Sequence, residues 1–204
     1  MNEGIKEMLF NLENSQVNEK YKLMAQTIIP RPIAWVVTED NGVVNIAPFS
    51  YFIGLSSEPA TVLISVGHKS DGTPKDTLAN IRNHQKCTIC MVDEQHLEPM
   101  HFSSKELDKE VSEATEYHIE TEMLCDGYPP MIKGVPSAYF CDLNQEIDLG
   151  GGSTIPLVLN VREIYVDDAV ITDKERISIT FNPVARIGKS YAFLGEEVVA
   201  PKMP

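Results

Sequence analysis

Two apolar, β-rich runs at residues 33–38 and 43–46 flank Asn41-Gly42, a pair suited to a tight hairpin turn because both residues tolerate positive φ. Further runs at 60–66, 87–92, 138–149, 157–166 and 177–181 read as strands. The 138–149 run alternates, with Tyr139, Cys141, Leu143, Ile147 and Leu149 on one face and Asp142, Asn144, Glu146 and Asp148 on the other. That is the pattern of a half-buried strand. In the 157–166 run, Arg162 and Glu163 interrupt the apolar sequence. Two helices stand out. One is predicted over 73–83, with Thr73 as N-cap, Pro74 at the first helical position and Leu78, Ile81 and Ala79 facing inward. The other is predicted over 104–118, where Leu107, Val111 and Ala114 are spaced for an apolar stripe. Many strands with two short helices favour an all-β-dominated barrel over a parallel sheet.

The 204 residues suit one sizeable domain, read as 21–204 behind a polar leader, 1–20, that is helical or loosely docked. No internal repeat or linker-like segment divides the chain. With 30 acidic against 17 basic residues the formal charge is −13, which argues against nucleic acid and membrane surfaces as partners and requires any anionic ligand to find a local positive pocket. No apolar run reaches membrane-spanning length and the N-terminus lacks a signal-peptide core, so a cytoplasmic location is expected. Cys87, Cys90, Cys125 and Cys141 are then expected to be reduced.

Candidate chemistry gathers in two places. Asn45, Ala47, Pro48 and Ser50 bring small, rigid and polar groups to a strand end, where an exposed backbone can approach a flat polar ligand. The same residues also suit a plain strand end at which Pro48 stops sheet pairing. From His68 to Thr77 the chain offers a helix N-terminus with Lys69 and Lys75 and the hydroxyls of Ser70, Thr73 and Thr77, a natural anion site. Asp76 opposes that reading unless its carboxylate serves the helix's own N–H groups, and an ordinary capped helix with solvated lysines is the alternative.

Pro30-Arg31-Pro32-Ile33-Ala34-Trp35-Val36, Asn45-Ile46-Ala47-Pro48-Phe49-Ser50-Tyr51-Phe52 and Lys75-Asp76-Thr77-Leu78-Ala79-Asn80-Ile81 resemble, in order and spacing, motifs of the flavin reductase-like, FMN-binding split-barrel family. A fainter similarity runs from Gly134-Val135-Pro136 to Pro183-Val184-Ala185-Arg186-Ile187-Gly188. The resemblance implies a Greek-key-like split barrel that binds FMN. The ring would lie along Asn45, Ala47, Pro48, Phe49 and Ser50, beside Arg31-Pro32 and Ser65-Val66-Gly67. Its phosphate would lie near His68, Lys75 and Thr77, with Arg186 and Tyr191 approaching from the C-terminal part. Lys189 stands where related reductases often carry a second glycine.

It further implies a homodimer in which NADH or NADPH reduces FMN, and reduced flavin passes to a monooxygenase or another redox acceptor. An FMN-containing electron carrier without nicotinamide turnover is the alternative activity, and a split barrel holding another planar cofactor, such as haem, or none, is a third. No GxGxxG fingerprint occurs, so a Rossmann nicotinamide domain is not expected. The flavin carries the reaction, and no side chain is assigned as acid, base or nucleophile.

Other motifs read as structural. Trp35, the single tryptophan, lies in an apolar strand and reads as core. Cys87 and Cys90 have redox spacing, but residues three apart on a strand face opposite ways. His96 and His101 lack the companions of a zinc site, and Gly150-Gly151-Gly152 reads as a hairpin turn.

Overall fold

The computed structural model describes residues 8–152 and 154–203. In chain order the elements are α1 (Val17–Thr27), β1 (Arg31–Pro32), β2 (Ala34–Asp40), β3 (Val43–Phe49), β4 (Phe52–Ser57), β5 (Ala60–Gly67), α2 (Asp76–His84) and β6 (Lys86–Cys90). They continue with α3 (Leu97–Phe102), α4 (Glu113–Glu116), β7 (Thr121–Glu122), β8 (Met131–Ile132), β9 (Ser137–Glu146), β10 (Thr154–Val166), β11 (Ile171–Asp173), β12 (Ser178–Ile179), β13 (Ala185–Ile187) and β14 (Ser190–Ala192). The leader expected over 1–20 has its first seven residues outside the described ones, and α1 crosses its end.

The main sheet has seven strands in the order β3-β2-β6-β9-β10-β5-β4, every pair antiparallel. Its two edges, β3 and β4, are consecutive in sequence and joined only by Ser50 and Tyr51. Two residues span roughly 7 Å of extended chain, so the sheet must curl until its edges nearly meet. The Ser65 amide, donating to the Tyr51 carbonyl at 2.9 Å, ties this seam to β5.

The run at the start of β2 is continuous because both faces of the strand are covered. Ala34 and Val36 join Ile64, Val66, Leu78, Ile81, Ile89, Leu157 and Leu159 inside the barrel, whereas Trp35 and Val37 join Ile46, Met100, Met131, Ile132 and Val184 in a second, outer core. Helix α2 plugs the barrel through Leu78 and Ile81, both fully buried. Trp35 is core, its indole N–H donating to Ser103 Oγ at 2.9 Å. Cys87 and Cys90 fall in different cores, on opposite faces of β6. Gly150, Gly151 and Gly152 all have positive φ in the connection from β9 to β10.

Several expectations need correction. The helix predicted over 104–118 does not form: α3 ends at Phe102 and only Glu113–Glu116 is helical beyond it. Ser103 Oγ and Ser104 Oγ donate back to the Met100 and His101 carbonyls, Ser112 Oγ donates to the Val44 carbonyl, and Glu113 is drawn onto β3. Local side-chain bonds of this kind compete with a helical backbone, and Val111 of the supposed stripe is exposed. Helix α2 starts after Lys75 rather than Thr73, because Pro74 is held in a β-bridge with His68. Pro48 does not end sheet pairing: Ala34 still pairs with Phe49 beyond it, which an edge strand permits. Strand β9 stops at Glu146, the 177–181 run keeps only Ser178–Ile179, and β4 lies where no strand was expected. The break at Arg162 and Glu163 is a bulge, with Val161 facing Cys141 and Glu163 facing Phe140.

Because α2 fills the barrel end, Leu78→Ala should lower unfolding stability by about 2–5 kcal/mol, the cost of removing a buried leucine side chain. Urea denaturation at neutral pH measures it, and a loss under about 1 kcal/mol would contradict a plugging role for the helix.

Candidate functional site

At the first turn of α2, the N-cap position is Lys75, with no side-chain capping bond, so the first-turn N–H groups remain open to an anion. The carboxylate of Asp76 turns to Lys69 Nζ at 3.0 Å instead of serving the helix N–H groups. This contact raises the Lys69 pKa, with the Asp76 hydrogen bond as its leading cause. Among the described residues Lys75 makes no ion pair. A cavity of about 40 Å³ beside it is lined by Asn45, Ala47, Lys69, Lys75, Thr77 and Ser104, among others.

Beneath that cavity lies a polar network that sequence reasoning missed. Glu113, 5% exposed, accepts from the Ile46 amide at 2.9 Å and from Asn45 Nδ2 at 3.0 and 3.1 Å. Asn45 Oδ1 in turn accepts from Thr77 Oγ1 at 2.9 Å and Thr38 Oγ1 at 3.3 Å, and Asn80 Nδ2 donates to Thr38 Oγ1 at 3.1 Å. The side chains of Asn45 and Thr77 are thus committed to one another, and both help fix β3 to α2 and α4. Burial pushes the Glu113 carboxyl above its ordinary range, partly opposed by the Ile46 and Asn45 hydrogen bonds and reinforced by Asp76.

On the other side of the β3 end a larger cavity, about 210 Å³, is lined by Tyr21, Ile33, Pro48, Phe49, Ser50, Met100, His101, Ser104, Arg186 and Tyr191. Ser104 borders both cavities. The structure therefore gathers Pro48, Phe49, Ser50, Arg186 and Tyr191 around one space, and Asn45, Ala47, Lys75 and Thr77 around its neighbour. Arg31 is 3% exposed. Its Nη1 donates to the carbonyls of Ala25 and Ile28, at 2.7 Å for the latter, and so secures the C-terminal end of α1. Its Nε lies 3.4 Å from Ser50 Oγ. Pro32 borders a separate apolar cavity with Val92, Pro183 and Leu194. Ser65 and Gly67 are half-buried on β5, Val66 is wholly buried, and His68 follows the strand in its bridge to Pro74.

From spacing alone His101 offers no role beyond metal ligation. Its Nδ1 lies 2.9 Å from Tyr191 Oη, 90 residues away in sequence. His96 Nδ1 lies 2.6 Å from Asp93 Oδ1. No group of three or more histidine, cysteine or acidic side chains able to hold a metal occurs among the described residues.

Residues 24–179 match the sequence profile of the flavin reductase-like domain, and the chain belongs to that family. It is 36% identical over 201 residues to an uncharacterized protein of Halalkalibacterium halodurans, covering 93% of each chain. Its fold is similar to that of nitrilotriacetate monooxygenase component B from Bacillus cereus, with a TM-score of 0.88, 27% identity and coverage of 95% and 98%. It is also similar to 2-nitrobenzoate 2-nitroreductase from Pseudomonas fluorescens, with a TM-score of 0.86, 26% identity and coverage of 96% of each chain. The architecture is the split barrel of flavin reductases.

The raised carboxyl pKa of Glu113 means that the folded chain holds this proton more tightly than the unfolded chain. Its contribution to stability is therefore full below the ordinary glutamate pKa and is lost as pH rises through the folded-state value. Glu113→Gln should flatten the part of the stability-versus-pH curve that falls with rising pH in this window. Urea midpoints measured across mildly acidic to neutral pH provide the check, and parallel curves for the two proteins would rule Glu113 out.

Proposed function

We propose that the protein is an FMN-dependent oxidoreductase, with NADH or NADPH as hydride donor and a monooxygenase or other redox protein as acceptor of reduced flavin or electrons. The observation that carries this reading is the open first turn of α2 with Lys75 at its N-cap, set against the end of β3. A phosphate there would meet unpaired N–H groups, a helix dipole and a full positive charge. The residues present fit such a group, since Lys69 is balanced by Asp76 while Lys75 has no ion-pair partner among the described residues.

FMN supplies the hydride and electron chemistry when bound. The chain's own work is binding and orientation. Main-chain groups of Ala47, Pro48, Phe49 and Ser50, with those of Ser65, Val66 and Gly67, would line the ring and meet its polar edge. The Glu113–Asn45–Thr77 network would hold that wall at a fixed distance from the phosphate anchor. With no dinucleotide fingerprint in the sequence, the nicotinamide would lie directly against an open ring face.

A cytoplasmic homodimer with a flavin groove at or near its interface is part of the same reading. In support, β4 turns the side chains of Ile53 and Leu55 outward, 59% and 50% exposed, an apolar surface of the kind that another chain covers. Among the described residues no helix is long and apolar enough to cross a membrane.

Titrating the protein with FMN should give a saturable flavin spectrum, and Lys75→Ala should weaken binding by about 1.5 to 3 kcal/mol, the range for a charge-assisted hydrogen bond. An unchanged dissociation constant would move the phosphate elsewhere. Steady-state NAD(P)H oxidation with excess FMN distinguishes a reductase, which turns over, from a carrier, which binds flavin tightly without turnover.

A further inference from the structure

A third cavity, of about 150 Å³, lies toward the Asn41 turn of the β2–β3 hairpin. It shares Asn45, Asp76 and Glu113 with the cavity at Lys75, but neither Lys75 nor any residue of the Pro48–Ser50 wall borders it. Its walls carry five carboxylates, those of Asp40, Asp76, Asp108, Glu110 and Glu113, against one cation, Lys109. Asp40 is answered by His84 and Lys109, and Asp76 by Lys69. Asp108 and Glu110 make no ion pair among the described residues. Exposed carboxylates alone mark only a solvated face. Asn80, one helical turn beyond Asp76, distinguishes this one: it is 3% exposed, it borders the same cavity, and its Oδ1 has no hydrogen-bond partner.

The network beneath the cavity fixes which way the Asn80 amide points. Asn45 Nδ2 donates to both oxygens of Glu113, so Asn45 Oδ1 faces Thr77 and Thr38. The single Thr38 hydroxyl proton goes to that oxygen, and the Thr38 lone pairs accept from Asn80 Nδ2. Turning the amide over would set its carbonyl oxygen against a hydroxyl whose proton is already used. Asn80 Oδ1 is thereby left as a buried acceptor without a donor, a costly arrangement. We infer that this cavity binds a small organic cation with N–H donors, a primary alkylammonium. Its ammonium group faces Asn80, Asp108 and Glu110 balance its charge, and Val43 and Val111 flank its stem. Water alone would meet Asn80 Oδ1 and leave two carboxylates unbalanced. A bare metal ion would lack ligands, since no group of three or more histidine, cysteine or acidic side chains able to hold one occurs among the described residues. Walls of this sign repel phosphate-bearing ligands, so the inference does not depend on the function proposed above.

Calorimetric titration of the full chain with n-butylammonium, n-butanol and tetramethylammonium, at constant ionic strength, tests the inference. Butanol lacks the charge and tetramethylammonium lacks N–H donors, so n-butylammonium should bind at a single site at least about tenfold more tightly than either. The Asn80 side-chain amide resonances should shift during the same titration. Asp108→Asn combined with Glu110→Gln, both exposed positions, should weaken n-butylammonium at least about tenfold. Tetramethylammonium binding as tightly would reduce the cavity to a solvated acidic face, and butanol binding as tightly would make it merely apolar. Either result overturns the inference. So does an absence of n-butylammonium binding at millimolar concentration, which would leave water as the only occupant, or an unchanged affinity in the double variant. The three-ligand comparison decides the matter on the unaltered protein even if the variant fails to fold.

Discussion

The two edge strands of the main sheet are neighbours in sequence, and that constraint governs the rest of the molecule. With only Ser50 and Tyr51 between β3 and β4, the sheet cannot lie open, and its closure creates an interior that needs a plug at one end. Helix α2 provides the plug, since Leu78 and Ile81 on its inner side enter the barrel core. The same insertion sets the helix N-terminus beside the end of β3. Site and fold therefore have one cause: the seam that closes the barrel also brings a polar strand end next to an uncapped helix.

Holding these two pieces in register is the task of Glu113. Its carboxylate reaches a backbone amide of β3 and the Asn45 side chain, while Asn45 reaches Thr77 on α2. A carboxylate buried in this way is poorly solvated, and its raised pKa shows that three hydrogen-bond contacts do not fully replace water. Every donor around it nevertheless belongs to a segment bordering the cavity at Lys75. Moving the strand end or the helix start would break several bonds together, which makes the gap between them a rigid dimension.

Much of this was legible in the sequence, for reasons that differ from element to element. The Asn41-Gly42 hairpin and the doubly buried start of β2 declare themselves locally, through turn chemistry and an unbroken apolar run. The Lys75-Asp76-Thr77 motif pointed to the helix, but its true start depends on Pro74 pairing with His68 across a loop. Residues 104–118 carried a helical stripe that failed because Ser112 and Glu113 bond to β3, 67 or 68 residues away. Strand β4 has no apolar alternation, since nearly all of it is exposed at the sheet edge, so only its pairing with β5 reveals it. His101 beside Tyr191 is equally invisible to spacing, because 90 residues of chain separate them.

Charge completes the physical picture. A chain with a formal charge of −13 repels anions at long range, yet its cations near β3 are arranged so that several remain without carboxylates. Lys69 is neutralised by Asp76, but Lys75, Arg31 and Arg186 have no carboxylate partner among the described residues. Field strength from such groups grows where low-dielectric walls exclude water, and Arg31 is almost wholly enclosed. Attraction therefore acts only after an anion has reached the seam, and is screened little by salt there. An acidic exterior with its uncompensated cations gathered around one strand end disfavours extended polyanions and favours small anions, which is the selectivity that a mononucleotide would require.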